Sequence, residues 1–313
     1  MSEIPKGGNV AARYRLEARI GRGGMCEVYR ATALAGPWEG RVVAIKRLLP
    51  DMAGNPQAIE RFITEADISI LLRHPHIVEV VEAGEMAEGY FIAMEHIEGR
   101  DLAAILERCR GKKIHLPVDF SVYVVSAILS ALEYAHEALS PRGEPLGIVH
   151  CDVTPGNVFI SRNGEIKLGD FGIARVRSVE PHTDGVWGKP YYLPPEAFEG
   201  ASPNPATDLW AVAVILYELL TNRRPFAGHD VEEVGRAVRE AAPVPPRELN
   251  AQVSEELSQV VLSALSRDPD RRYASAGWFQ AALARFMDER IGTQMAIASL
   301  VRGLFGSDAN IRR

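Results

Sequence analysis

Cysteine is scarce in this chain. Only Cys26, Cys109 and Cys151 occur in 313 residues, far apart and with no CxxC spacing. That excludes a disulfide framework and a cysteine-built zinc site, and it fits reduced thiols in the cytosol. A basic excess is missing too. Lys and Arg total 35 against 41 Asp and Glu, a formal charge of −6. The broad positive footprint of a duplex binder is therefore absent, and no nucleic-acid partner is expected. No uninterrupted apolar run reaches the roughly 20 residues of a membrane span. The longest, 209–220, is closed by Asp208 and carries Glu218. The opening MSEIPKGGNV lacks the apolar stretch of a secretory signal. Internal repeats and low-complexity tracts are missing as well. These absences predict a soluble, cytoplasmic chain with no membrane segment.

What is present is an ordinary globular composition, 47% hydrophobic and 24% charged, in a length that suits about two domains or lobes. From residue 14 to 95, β-type runs (RYRLEARI, EVYRATAL, RVVAIKRL, GYFIAMEHI) are punctuated by glycine. Between them, Ile59, Phe62, Ile63, Ala66 and Ile70 recur at helical spacing over 56–72, and His74-Pro75 ends that helix. After Gly99 the texture turns helical. Helices are expected at 101–110, 117–138, 207–220, 231–241, 254–265 and 276–288, the third apolar all round and so buried.

Gly21, Gly23 and Gly24 lie between two β runs. A dinucleotide fingerprint needs a helix directly after its glycines, so that reading fails here. Glycines between antiparallel strands instead let backbone amides close over phosphates, although an ordinary hairpin turn has the same composition. Lys46 ends Val43-Ala44-Ile45-Lys46 as the one charge of an apolar stretch, where a partner is required unless the strand is an exposed edge. Glu65 on the following helix is the obvious counter-charge, and the pair would hold an ammonium toward a phosphate.

His150-Cys151-Asp152-Val153-Thr154-Pro155-Gly156-Asn157, followed by Asp170-Phe171-Gly172, completes a pattern. With the glycine loop and Lys46, the sequence resembles the eukaryotic-like (Hanks-type) protein kinases, and GRGGMCEVYRA looks closest to their bacterial serine/threonine members. The resemblance covers residues 14–287. It implies an α+β class and a bilobal protein-kinase-like fold, with a small, mainly antiparallel β N-lobe holding one helix (14–95). A hinge at 95–99 would lead to a larger, mainly helical C-lobe (100–287), and 288–313 would form an amphipathic tail.

The resemblance also implies ATP and Mg²⁺ as cofactors. Lys46, held by Glu65, would contact the α/β-phosphates; Asp170 and Asn157 would ligate Mg²⁺, which prefers hard oxygen donors. Asp152 would orient the substrate hydroxyl and accept its proton. Gly21, Gly23 and Gly24 would cover the phosphates. Ile20, Val28 and Ala44 would lie above the adenine and Phe159 below it. Met94 would be the gatekeeper, Glu95 and Ile97 would offer backbone hydrogen bonds, and Asp101 would meet the ribose. Glu196 would pair with Arg272, and Asp208 would anchor the catalytic loop; both are structural roles.

Four positions depart from the family pattern. Cys26 stands for the third loop glycine, either as a packed thiol or as a reactive one. Cys151 replaces the arginine that receives an activation-loop phosphate, so phosphorylation at Ser178 or Thr183 should couple weakly. Thr154 and Lys189 are exchanged relative to the usual lysine and threonine, and Lys189 is expected to supply the missing catalytic charge.

The expected function is an ATP- and Mg²⁺-dependent kinase phosphorylating serine or threonine of protein substrates and of itself, in bacterial signalling. The alternative is a pseudokinase or nucleotide-binding scaffold acting through protein interactions. A small-molecule phosphotransferase is a third and weaker reading. In the tail, Ile297, Leu300, Val301, Leu304 and Phe305 share one helical face, which would either dock on the C-lobe or mediate self-association or tethering to another domain.

Overall fold

The computed structural model describes residues 13–86, 89–140, 142–171, 189–287 and 294–306. Its N-terminal part is an antiparallel sheet of β1 (Tyr14–Arg22), β2 (Cys26–Ala33), β3 (Val42–Leu48), β4 (Val80–Met86) and β5 (Gly89–Glu95), in the order β1-β2-β3-β5-β4. Register decides what this sheet presents. Val28 pairs with Lys46 and Ala44 with Met94. Paired residues share a face and neighbours alternate, so Val28, Ala44, Lys46 and Met94 all lie on one side. The other side buries Val43 and Ile45 with Tyr14, Ala31, Phe91 and Ala93.

The lysine side packs against α1 (Pro56–Leu71), where Leu48 and Ile92 meet Ala58, Phe62 and Ala66. Asn55 starts that helix by accepting from the backbone N–H of Gln57 (3.0 Å) and Ala58 (3.3 Å). Pro56 then occupies the first position, where its missing N–H costs nothing. Glu65 falls in the buried stripe with Ala58, Phe62 and Ala66, a carboxylate among apolar neighbours on the face that meets the sheet.

The C-terminal part begins with β6 (Gly99–Asp101), which pairs with β7 (Val158–Ser161) and through it with β8 (Ile166–Leu168). Around this small sheet lie α2 (Leu102–Lys112), α3 (Val118–His136), α4 (Pro205–Thr221), α5 (Val231–Glu240), the single turn α6 (Pro246–Leu249), α7 (Glu255–Ala264) and α8 (Ala276–Ala284). Helix α4 is buried at every position from Thr207 to Thr221, as its all-round apolar sequence predicts. It starts two residues before the expected 207 because Asn204 caps it. The Asn204 side chain accepts from Ala206 N–H, while Thr207 Oγ1 accepts from Asn204 N–H.

Helix α3 is long and apolar enough to cross a membrane by length and composition. It holds no uninterrupted apolar run of that length, since Asp119, Ser121, Ser126, Ser130 and Glu133 fall within it. Packing accounts for its apolarity: 67% of the window is buried in the fold, and Val124, Val125, Ile128 and Leu132 are fully buried core residues.

The tail forms α9 (Gln294–Phe305), with Ile297, Ala298, Val301 and Leu304 buried, Ile297, Val301 and Leu304 in the same core as α3 and α4. Of the two arrangements open in the sequence, the structure adopts docking on the helical lobe, chiefly against α2. The start of α9 abuts Gly164, in the turn before β8, so closely that a Cβ there would lie 1.8 Å from the Gln294 carbonyl oxygen. Gly164 also has φ +83, so only glycine suits the position.

Candidate active site

The site lies between the two parts. From above, β3 carries Lys46 down to Glu65 on α1, with Nζ to Oε1 at 2.5 Å. From below, Asp170 brings Oδ1 to 3.0 Å from the same Nζ. Asp170 takes the left-handed backbone conformation, φ 58, just after Gly169, whose N–H donates to the Asn157 carbonyl at 2.9 Å. Burial alone would pull the Lys46 ammonium down, but the Asp170 and Glu65 carboxylates outweigh it and hold Lys46 well above the ordinary lysine range. Desolvation by the cleft walls works against ionising Asp170, although its side chain is still 41% exposed. Lys46, aided by His150 and Lys189, nevertheless keeps its carboxyl below the ordinary range. The result is a fixed cation and a fixed anion at the mouth of the cleft.

The catalytic loop is tied to the core by Asp208 on α4. Its Oδ2 accepts from His150 N–H and its Oδ1 from Cys151 N–H, at 2.8 and 2.9 Å, and His136 Nε2 lies 2.8 Å from Oδ2. His150 in turn reaches the Gly169 carbonyl (3.1 Å) and packs on the Phe171 ring at 4.4 Å. The loop therefore projects Asp152 from a rigid base. Asn157 Nδ2 donates to both the Asp152 carbonyl (2.8 Å) and Asp152 Oδ2 (2.9 Å). Asp152 Oδ1 is buried without a partner, a situation that demands a donor.

These residues fit Mg²⁺. Two hard oxygen donors are present, the Asp170 carboxylate and the Asn157 side-chain carbonyl, whose amide N–H group is already committed to Asp152. Among the described residues no cluster of three His, Cys, Asp or Glu side chains forms a self-sufficient metal site. That suits an ion completed by substrate phosphates and water rather than by an all-protein cage.

Lys189 enters from the segment preceding Pro190-Tyr191-Tyr192. Its Nζ donates to Thr154 Oγ1 at 2.8 Å and lies 3.8 Å from Asp152 Oδ2. The two exchanged positions thus meet. Cys26 is half-buried, and burial is the main reason its thiol is pushed up to about 11, so the packed-thiol reading holds over the reactive one. Glu196 and Arg272 form the expected fork, with bonds of 2.6 and 2.8 Å.

The roof residues Val28, Ala44 and Met94 share the sheet face of Lys46, with Gly21, Gly23 and Gly24 at the β1–β2 end. Ile20, Ile97, Asp101 and Phe159 line a cavity of about 650 Å³, enough for a nucleotide. Asp101 Oδ1 also caps α2 by accepting from Ala104 N–H at 2.8 Å. The Glu95 side chain, unremarked in the sequence, takes Lys167 Nζ and Glu79 N–H at 2.7 Å each and so braces the hinge. Phe305, from α9, is an unanticipated cavity wall. The tail stripe signalled a buried face, but nothing in the sequence said where it docks. Gly172, Ser178 and Thr183 lie outside the described residues.

A family model described as "Protein kinase domain" matches residues 14–284. The tyrosine-protein kinase MasK of Myxococcus xanthus is 35% identical over 300 residues, covering 94% of this chain and 46% of the relative. The serine/threonine-protein kinase pkn3, also of Myxococcus xanthus, is 36% identical over 301 residues, covering 91% of this chain and 52% of the relative. The chain thus spans about half the length of these relatives. The crystal structure of the Mycobacterium tuberculosis PknI kinase domain superposes with a TM-score of 0.64 at 28% identity, over 88% of this chain and 96% of that one.

Proposed function

Because the chain belongs to the protein kinase family, we propose that it transfers the γ-phosphoryl group of ATP to serine or threonine hydroxyls of proteins, its own included. The observation that carries this reading is the Lys46 ammonium held between Glu65 (2.5 Å) and Asp170 (3.0 Å). A charge so placed has its work on a phosphate chain. Asp170 and Asn157 would hold Mg²⁺, which when bound neutralises charge on the phosphates.

Asp152 receives the substrate hydroxyl at Oδ1. As the hydroxyl oxygen bonds to the γ-phosphorus and the bond to the β-phosphate oxygen breaks, the proton passes to that carboxylate and ADP departs. Lys189 takes the charge role that Thr154 cannot fill. Its stem reaches the catalytic loop from outside it, within 3.8 Å of Asp152 Oδ2, and an ammonium there stabilises a developing phosphoryl charge.

The test is transfer of labelled γ-phosphate to a generic basic protein and to the chain itself, with acid hydrolysis to identify the labelled amino acid. Phosphoserine or phosphothreonine, lost in Asp152→Asn, supports the proposal. No transfer despite nucleotide binding would establish the pseudokinase or scaffold reading. Phosphotyrosine would favour a second reading, which the similarity to a kinase named for tyrosine motivates.

A further inference from the structure

The cavity beside the hinge runs from Ile20, Ile97 and Phe159 along α2 past Arg108, and Phe305, the last residue of α9, is one of its walls. That ring is held on more than one side. The guanidinium carbons of Arg100 and Arg108 lie 5.2 and 5.9 Å from its centre, within cation–π range. The preceding carbonyl, of Leu304, accepts from Arg108 Nε at 3.1 Å and Lys112 Nζ at 3.4 Å. Cations suit the last turn of a helix, where carbonyls lack intrahelical partners and the dipole is negative. At its other end the helix is seated against Gly164. With both ends fixed and Ile297, Val301 and Leu304 buried between them, the position of Phe305 is determined by the fold.

We propose that Phe305 is part of the nucleotide site, its ring forming the outer wall against which the sugar and the outer edge of the base pack. This rests on the reading of the cleft as an ATP site. Arg100, which holds the ring, immediately precedes Asp101, and Asp101, Ile20, Ile97 and Phe159 line the same cavity as Phe305. A nucleotide seated against them has Phe305 as the next surface outward. The contact is made equally before and during phosphoryl transfer, so it acts on affinity and leaves the chemical step alone. The tail is thereby a component of the binding site in addition to a packing element.

The test uses the intact chain. Calorimetric titration with unlabelled ADP and Mg²⁺ compares the parent with Phe305→Ala, Phe305→Tyr and Met295→Ala, the last a 76% exposed residue of the same helix. Phe305→Ala should weaken ADP binding by about fivefold to tenfold, the range of a single aromatic contact, and raise the KM for ATP with kcat unchanged. Phe305→Tyr should restore affinity, and Met295→Ala should do nothing. In Phe305→Trp, saturating ADP should shift the emission beyond any shift in the parent. Unchanged affinity in Phe305→Ala overturns the proposal. So does a silent Phe305→Trp when calorimetry shows ADP bound, since any loss in Phe305→Ala would then come through the helix. If the parent binds no ADP, the reading of the cleft itself fails, and the proposal with it.

Discussion

The Lys189 ammonium donates a 2.8 Å hydrogen bond to the Thr154 hydroxyl, bringing together two residues 35 positions apart. Each occupies the place where the resemblance expects the other's type. Lys189→Ala should therefore lower kcat by about 10²-fold, as for the loss of one preorganised electrostatic contact, with little change in the KM for ATP. Thr154→Lys in a Lys189→Thr background should recover much of that loss, whereas Thr154→Lys alone should impair the enzyme by crowding two ammonium groups. Steady-state kinetics of the cycle checks this, and strictly additive effects would show that the positions share no task.

Cys151 is buried, with φ 65, and its thiol donates to the Val149 carbonyl at 3.4 Å. No guanidinium stands there to receive a phosphate. Ser178→Ala combined with Thr183→Ala should consequently change kcat only a few-fold. A fall of about 100-fold, equivalent to about 2.7 kcal/mol of barrier, would contradict this.

Cys26 should be a poor nucleophile near neutral pH. Burial, reinforced by the nearby Glu65 and Asp170 carboxylates and only partly offset by the Lys46 ammonium, raises its thiol to about 11. The folded protein thus keeps its proton where the unfolded chain, at an ordinary thiol value, begins to lose it. Stability from this group is complete below the unfolded value and declines as pH rises toward 11. Iodoacetamide labelling of the folded chain, followed by peptide mass analysis, should accelerate at Cys26 only as pH approaches that value. Fast labelling at pH 7 would refute the assignment.

Arg272 has a side chain 1% exposed, clamped by Glu196 and stacked over Trp210 at 4.8 Å. Its removal leaves the half-buried Glu196 carboxylate without its partner. Arg272→Ala should lower the unfolding free energy by about 3–5 kcal/mol, the usual cost of breaking a buried pair. Urea denaturation measures it; a loss below about 1 kcal/mol would place the pair among exposed ones.

Lys46 and Glu65 were legible because a charge closing the apolar Val43-Ala44-Ile45 stretch and a carboxylate on the next helix each break a local pattern. The strands around them were legible from their period and their glycines. Asp152, Asn157 and Asp170 were assigned through motif resemblance, since an acid in a loop has no periodic signature. The rest arises from contacts distant along the chain. Asp170 meets Lys46 across 124 positions, and Leu304 meets Arg108 across 196. Nothing local marks such pairs, because they are created when whole elements pack. Helix α3 is the reverse case: its apolar character is plain in the sequence over 117–138, and burial in the core takes it up.

Asp208 grips the backbone of His150 and Cys151 from a helix buried along nearly its whole length. The lower half of the machinery therefore has no independent freedom: to displace Asp152 is to melt the lobe. Glu65 differs, reaching Lys46 from a helix of the smaller lobe whose exposed side carries charge. An effector bound to the exposed side of α1 would reach the Lys46–Glu65 pair without touching the loop that Asp208 holds. A clamp on α1 would silence the enzyme reversibly, and inactivation by denaturant at the lower loop would arrive only with collapse of the helical lobe.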